Sequence, residues 1–360
     1  MAHVARRKRP GRRDDWLASY VGTDNKRHSK VFQKKVDADR FVVEMESRKL
    51  RGVWTNPDHG KELFGKWLKD WWATTTNLRP SSRARDESYM KKHVEPRFGD
   101  VPLAKISQLD VRAWVADLNK EGLKPATVRL IYQIVSRAMD AAVDGGMIPL
   151  SPCRNISLPR IERGEPRFLT QEEVHAIAAA VDPHYRTLIL TAAYLGPRWG
   201  ELAGLRPTRV DLLHRKLHIV EQLTEVRGQV TLDAPLKTAS SRRTLTIPRF
   251  LVPLLEEQVG RNTEIVFAST EGTPLRRTNF RRRVWIPATE ATDQQGVKFH
   301  DLRHTAVAFA IERGAHPRAI QERMGHASIT TTLNVYGGLF PRLEEAIADG
   351  LDELYSAARA

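Results

Sequence analysis

The chain has a single cysteine, Cys153, among its 360 residues. One thiol excludes an internal disulfide framework and supplies no thiolate cluster for zinc. No apolar run approaches the roughly 18 residues needed to span a bilayer. The charged start, Met1 to Arg13, lacks the apolar segment of a secretory signal. No GxxxxGK[ST] loop or HExxH pair is present, so neither a phosphate-cradling loop nor a metalloprotease helix is indicated. Acidic residues are in deficit: 43 Asp/Glu face 58 Lys/Arg, a net charge of +15. An excess of that size calls for a polyanionic partner. With membrane spans and secretion set aside, the expectation is a cytoplasmic protein that meets nucleic acid.

The positive charge is unevenly placed. Residues 1–57 hold fifteen Lys/Arg against seven Asp/Glu, a net +8 and over half of the excess. Arg6–Arg13 alone reads as a solvated basic tail or a localisation-type run. Beyond it the segment reads as folded. Trp16–Val21 has strand composition, a polar turn follows from Gly22, and a second short strand passes through Val31 and Phe32. Val36–Leu50 predicts a helix, with Phe41 and Met45 four apart on one face and Gly52 past its end. Asn56-Pro-Asp-His-Gly60 reads as a linker.

Residues 61–155 carry helical spacing and almost no strand signal. Phe64, Trp67, Leu68, Trp71 and Trp72 form one apolar stripe. Val111, Trp114, Val115 and Leu118 form a second, and Val128, Ile131, Val135, Met139 and Ala142 a third. The plain reading of these aromatics is core, which leaves Arg79, Arg83, Arg85, Lys91 and Lys92 on polar faces as candidate DNA contacts. Asn155–Arg167 is irregular and reads as a second linker. Thr170-Gln-Glu-Glu173 then opens a new domain as a capping box. An apolar run at Thr187–Leu195 follows, with strands expected near Leu217–Val220, Val230–Leu232 and Leu245–Ile247, and mainly helix from Phe299. The tail from Pro341 to Ala360 predicts an amphipathic helix with Leu343, Ile347, Leu351 and Leu354 on one side, a face that could pack on its own domain. The expected fold is α+β and multidomain. A small sheet-plus-helix module occupies 1–57, an all-helical domain 61–155, and a mainly helical domain with a small antiparallel sheet 165–360.

Four segments of the last domain carry chemistry. In Leu195-Gly-Pro-Arg198-Trp-Gly-Glu201, a turn places Arg198 near a helix start, where backbone amides also favour an anion. Lys237 lies between two expected strands. His300-Asp-Leu-Arg303-His304 opens an amphipathic helix, with His300 and Arg303 three apart and so on one side. Met324-Gly325-His326 precedes Leu333-Asn-Val-Tyr336. Singly, each has a bland reading: a surface arginine paired with Glu201, a solvated hairpin lysine, a turn-capping histidine, a half-buried tyrosine. His300 and His304 could form a metal pair, but no third ligand completes it.

Read in order, the set resembles the tyrosine recombinase family of phage integrases. That family shows an arginine in a Gly-x-Arg-x-[Gly/Ser]-[Glu/Asp] turn, a hairpin lysine, His-x-x-Arg, Leu-Gly-His, and a tyrosine about ten residues on. Arg198, Lys237, His300, Arg303, His326 and Tyr336 match in turn, with Met324 in place of the usual leucine and Pro197 a less usual neighbour of Arg198. The resemblance implies that 1–57 binds arm-type DNA sites, that 61–155 binds core-type sites, and that 165–360 is catalytic. It also implies a homotetramer on double-stranded DNA, accessory DNA-bending factors, and a tail helix that docks on a neighbouring protomer.

The implied chemistry needs no cofactor. Two guanidiniums can hold the non-bridging oxygens of a phosphodiester as charge builds in the transition state. Tyr336 attacks, with His300 as general base, Lys237 as general acid for the departing 5′ oxygen, and His326 as a phosphate ligand. The 3′-phosphotyrosyl link conserves the bond energy, so religation requires no ATP. Two other readings share parts of this pattern, a type IB topoisomerase-like strand transferase and a DNA-binding regulator without catalysis. Tyr355 is the rival nucleophile.

Overall fold

The computed structural model describes residues 2–8, 14–52, 54–162, 164, 166–339, 348–349, 351–352 and 355–356. Arg9, Arg12 and Arg13 of the basic run lie outside the described residues, as do Leu343, Ile347 and Leu354 of the expected tail helix. The chain divides into two compact units, Met1–Arg163 and Gly164–Ala360. The fold is α+β, with small antiparallel sheets in both units.

The first unit opens with a sheet in the order β1 (His3–Arg7), β2 (Asp15–Val21), β3 (Arg27–Phe32). The helix α1 (Lys35–Leu50) packs on it, burying Ala38 and Met45. Tyr20 and Phe41 meet edge to face at 5.9 Å across that interface. The strand β1 replaces part of the expected basic tail: His3 pairs with Ser19 and Arg7 with Asp15. Strand pairing uses main-chain groups, so Arg6 and Arg7 join the ladder while their side chains stay exposed.

The helices of this unit are α2 (Phe64–Thr74), α3 (Pro80–Tyr89), α4 (Glu95–Phe98), α5 (Gln108–Lys120) and α6 (Pro125–Asp144). Proline opens α3 and α6, where no amide partner is needed. Ser107 and Asp110 close a capping box on α5. The second and third stripes are buried throughout, and the first is buried at Phe64, Leu68 and Trp72. Each such side chain contributes about 1.5–3 kcal/mol of transfer free energy. Two of the expected DNA-facing arginines are engaged within the protein. Arg83 donates to the Thr75 carbonyl at 2.8 Å and lies over the Trp72 ring, and Arg85 donates to Asp86.

The second unit starts with α7 (Gln171–Ala180), capped by Thr170 and Glu173 in the expected reciprocal bonds. The apolar run at 187–195 belongs to α8 (Pro183–Leu195), nine of whose residues are buried, which marks a helix surrounded by core. The short α9 (Trp199–Ala203) follows the Gly196 turn. The strands β4 (Val210–Asp211), β5 (Lys216–Ile219) and β8 (Arg243–Thr246) form one antiparallel sheet, with Leu217 opposite Leu245. β6 (Glu221–Val226) and β7 (Gln229–Pro235) form a separate hairpin. Its two-residue turn, Arg227-Gly228, has positive φ at both positions, as a primed turn requires. The remaining helices are α10 (Leu251–Val259), α11 (Arg277–Phe280), α12 (Ile286–Ala291), α13 (Asp301–Glu312), α14 (Pro317–Met324) and α15 (Ile329–Tyr336). Here α13 packs on α8, and Thr305 of α13 accepts from the Leu169 amide at 3.0 Å.

Candidate active site

Two left-handed glycines shape the site. Gly196 ends α8 at φ +69, and a Cβ there would lie 2.9 Å from Met324 and 3.0 Å from Ala306. Gly325 ends α14 at φ +64, and a Cβ would lie 2.9 Å from the Ser240 carbonyl. Both turns thus need glycine for conformation and for close approach. Their carbonyls, brought inward, receive the two arginines.

Arg198 sits at the N-cap of α9. Its Nη1 donates to Glu201 Oε1 at 2.8 Å and to Ser241 at 3.3 Å, and its Nη2 to the Gly325 carbonyl at 3.4 Å. Arg303, only 4% exposed, donates to the Gly196 carbonyl at 2.6 Å and to the Met324 carbonyl. Burial first, then Arg198 and Arg243, lower its pKa to about 9, with Glu201 and Tyr336 opposing, so it remains a cation at neutral pH.

Glu201 holds this cluster together. It is 1% exposed and also accepts from Arg243, at 3.2 and 2.8 Å. Burial raises its pKa, but the Arg243 hydrogen bond and charge, the Arg198 amide and the Arg198 charge outweigh it, and the carboxyl titrates below the usual range. Arg243 in turn donates to the Arg323 carbonyl at 2.7 Å, fixing α14 against β8.

The three site histidines are all held towards neutrality. His326 follows Gly325, its Nδ1 3.0 Å from the buried hydroxyl of Thr332. Burial, then Arg303 and Arg198, lower it to about 4. His300 caps α13 and keeps an exposed side chain. Burial of part of its ring, then His304 and Arg303, lower it to about 4. His304 stands edge-on to His300 with ring centres 5.1 Å apart.

Tyr336 is 2% exposed at the end of α15, and its hydroxyl lies 2.7 Å from His304 Nδ1. Burial raises its pKa to about 12, with Arg303 acting in the opposite direction. Lys237 is exposed in the bend between β7 and β8. That loop reaches the site through Ser241, which bonds Arg198 and Thr238. The structure therefore gathers Arg198, Arg303, His326 and Tyr336 about the 324–326 turn, with His300 flanking and Lys237 on an adjoining loop. Sequence reasoning left out Arg243, Ser241 and the contact of His304 with Tyr336. For Glu201 and His304 the signals were present, a carboxylate three residues after Arg198 and an imidazole beside Arg303. Nothing local marked Arg243. Among the described residues, no cluster of three or more His, Cys, Asp or Glu side chains could hold a metal ion.

Comparison with known proteins bears on the family of the whole chain. Residues 167–340 match the Phage integrase family, and residues 63–119 match its N-terminal SAM-like domain. The ICEBs1 integrase of Bacillus subtilis is 26% identical over 291 residues, covering 77% of this chain and 78% of that one. The integrase of Mycobacterium phage L5 is 24% identical over 355 residues, 94% of each chain. Among solved structures, the Tn1549 transposon integrase in complex with a circular intermediate DNA superposes with a TM-score of 0.68 at 18% identity, over 76% of this chain and 95% of that one. A lambda integrase tetramer bound to a Holliday junction gives 0.59 at 19% identity, over 87% and 94%. The chain belongs to the phage integrase family and is a tyrosine-type site-specific DNA recombinase.

Proposed function

We propose that this recombinase cuts DNA by attack of the Tyr336 hydroxyl on a backbone phosphate, and so integrates, and in the reverse direction excises, a phage or mobile element. The observation that carries the reading is the convergence of Arg198, Arg303 and the Tyr336–His304 pair on the turn bearing His326. Two cations beside one short turn form an anion site, and a phosphoryl group gains negative charge on its non-bridging oxygens during displacement. Preorganised donors of this kind are typically each worth about 10²–10³ in rate. Where Thr332 donates to His326 Nδ1, the ring proton sits on Nε2, the tautomer able to donate to a phosphate oxygen. Lys237 is the candidate acid for the 5′ oxygen, since its loop is tied to Arg198 through Ser241. His300 is the second imidazole at the phosphate edge.

The wider roles belong to the same proposal. The +8 segment 1–57, with its sheet and Lys30, Lys34 and Lys35 exposed, suits arm-type DNA. The helical segment 61–155 suits core-type sites, with Lys91 and Lys92 exposed. The lambda integrase tetramer on a Holliday junction supports a homotetramer on DNA here; accessory bending factors and a cytoplasmic setting are part of the proposal and follow from the resemblance alone. A nicked core-site substrate tests the chemistry. Tyr336→Phe is expected to bind DNA as the wild type does and to form no covalent adduct. An adduct that survives Tyr336→Phe and disappears in Tyr355→Phe overturns the assignment.

A further inference from the structure

The resemblance makes His300 the general base for Tyr336, a role that sets a geometric condition. A buried phenol is a poor nucleophile, because its charged form lacks hydration. Burial pushes Tyr336 up to about 12, and the nearby Arg303 only partly offsets this. Attack at neutral pH therefore requires a group that removes the phenolic proton as the new bond forms. The general base must lie within hydrogen-bond reach of that proton. Among the described residues, the contact to the Tyr336 hydroxyl at that range is His304 Nδ1, at 2.7 Å.

We propose that His304 is the catalytic base for Tyr336, taking the phenolic proton on Nδ1 during cleavage and returning it during religation. The inference rests on Tyr336 being the nucleophile. Its geometry is set by the fold: α13 presents Arg303 and His304 as neighbours, so one helix delivers the phosphate ligand and the proton acceptor together. The end of α15 brings the tyrosine to both.

In cleavage the Tyr336 Oη–P bond forms and the P–O5′ bond breaks. The Oη proton passes to Nδ1, leaving His304 as imidazolium, and the O5′ pair takes a proton from a separate acid, for which Lys237 is the candidate. Religation reverses each transfer. The 5′ hydroxyl attacks phosphorus and the departing phenolate recovers its proton from His304. This division requires His304 to start neutral. Burial is the largest influence holding it below its ordinary value, Arg303 and Lys298 act in the same direction, and Asp301 opposes them. The titratable and charged groups around it are His300, Asp301, Arg303, Lys298, Tyr336 and His326. His300 meets His304 edge to face, ring centres 5.1 Å apart, and among the described residues no hydrogen bond joins it to Tyr336.

The experiment compares His304→Asn and His300→Asn with the wild-type chain, in single-turnover cleavage of a nicked core-site DNA from pH 5.5 to 10. Asparagine places an acceptor oxygen close to Nδ1 but cannot hold a proton at these pH values. In His304→Asn, cleavage near neutrality is expected to fall about 10²–10⁴-fold, the usual worth of a general base. The rate should then climb tenfold per pH unit as hydroxide ionises the phenol, with DNA affinity unchanged. His300→Asn, which leaves the His304–Tyr336 contact in place, should lower the rate at every pH without the tenfold-per-unit climb. DNA binding and the melting temperature distinguish a folding defect, and His304→Gln, read in the same assay, supplies a second variant. If His304→Asn keeps the wild-type rate and profile, or if the altered profile appears in His300→Asn instead, the proposal is overturned. Tyr336→Phe in parallel tests the nucleophile separately: an adduct there removes the premise, whatever His304 does.

Discussion

The two units treat buried charge in opposite ways. In the first, Asp86 is buried, but its partners Arg85 and Arg137 have side chains 41% and 48% exposed. In the second, Glu201 is 1% exposed and Arg243 6% exposed, and Arg303 is buried beside them. A carboxylate whose cations remain hydrated can be lost with little consequence. One that neutralises buried cations cannot. The lesson is that the recombinase concentrates its electrostatic risk in the unit that holds the proposed active site, while the helices of the first unit stand on apolar stripes.

Paired substitutions press on that contrast. Glu201→Ala is expected to destabilise the second unit by about 3–5 kcal/mol, the range for breaking a buried pair. Asp86→Ala should cost about 1 kcal/mol, near the value for exposed pairs. Chemical denaturation of the intact chain, followed by hydrogen exchange resolved by unit, reads both, and equal costs would erase the distinction.

A smaller effect concerns the glycine turns. Gly325→Ala must hold a left-handed conformation and push against the Ser240 carbonyl, which should cost about 1–3 kcal/mol. Gly122 has φ +77 with nothing within 4 Å of a built Cβ, so Gly122→Ala carries only the left-handed conformational penalty, about 1–2 kcal/mol. The gap between the two melting temperatures measures the close approach alone.

The mildest test uses acid. His300 and His326 have pKa values of about 4 in the folded chain, below the ordinary 6.5. Between those values the unfolded chain binds more protons than the folded one. Their contribution is therefore complete above about pH 6.5 and is lost as pH falls towards 4. The first unit has a single lowered histidine of this kind among its described residues, His93, where burial is partly opposed by Glu121. Exchange protection should thus decline earlier in the second unit as pH drops from 7 to 5.

Much of this was legible beforehand, for identifiable reasons. The stripes at 111–118 and 128–142 are amphipathic, and periodicity reports amphipathic helices well. The capping box at Thr170 is a local device with a local signature. By contrast α8 is apolar nearly all round, so it shows no period to read. The strand β1 has charged side chains on an edge, and its ladder is written in main-chain atoms. Within the site, the residues in short motifs were found, and those joined by long-range contact were not. Arg243 meets Glu201 across 42 positions, a pairing that exists only once β8 and α9 are packed. His304 was visible, but its i, i+4 spacing from His300 suggested a metal pair, and only the fold shows Tyr336 against it.

The two carbonyls under Arg303 carry a practical consequence. A guanidinium that ties the ends of α8 and α14 together acts as a rivet as well as a reagent. Under the proposed mechanism, replacing it would remove catalysis and loosen the joint at once, so an inactive Arg303 variant would say little about which of the two failed. Tyr336→Phe deletes one hydroxyl and leaves every such joint in place. If Tyr336 is the nucleophile as proposed, the variant suited to trapping the recombinase on intact DNA is the one altered at the tyrosine.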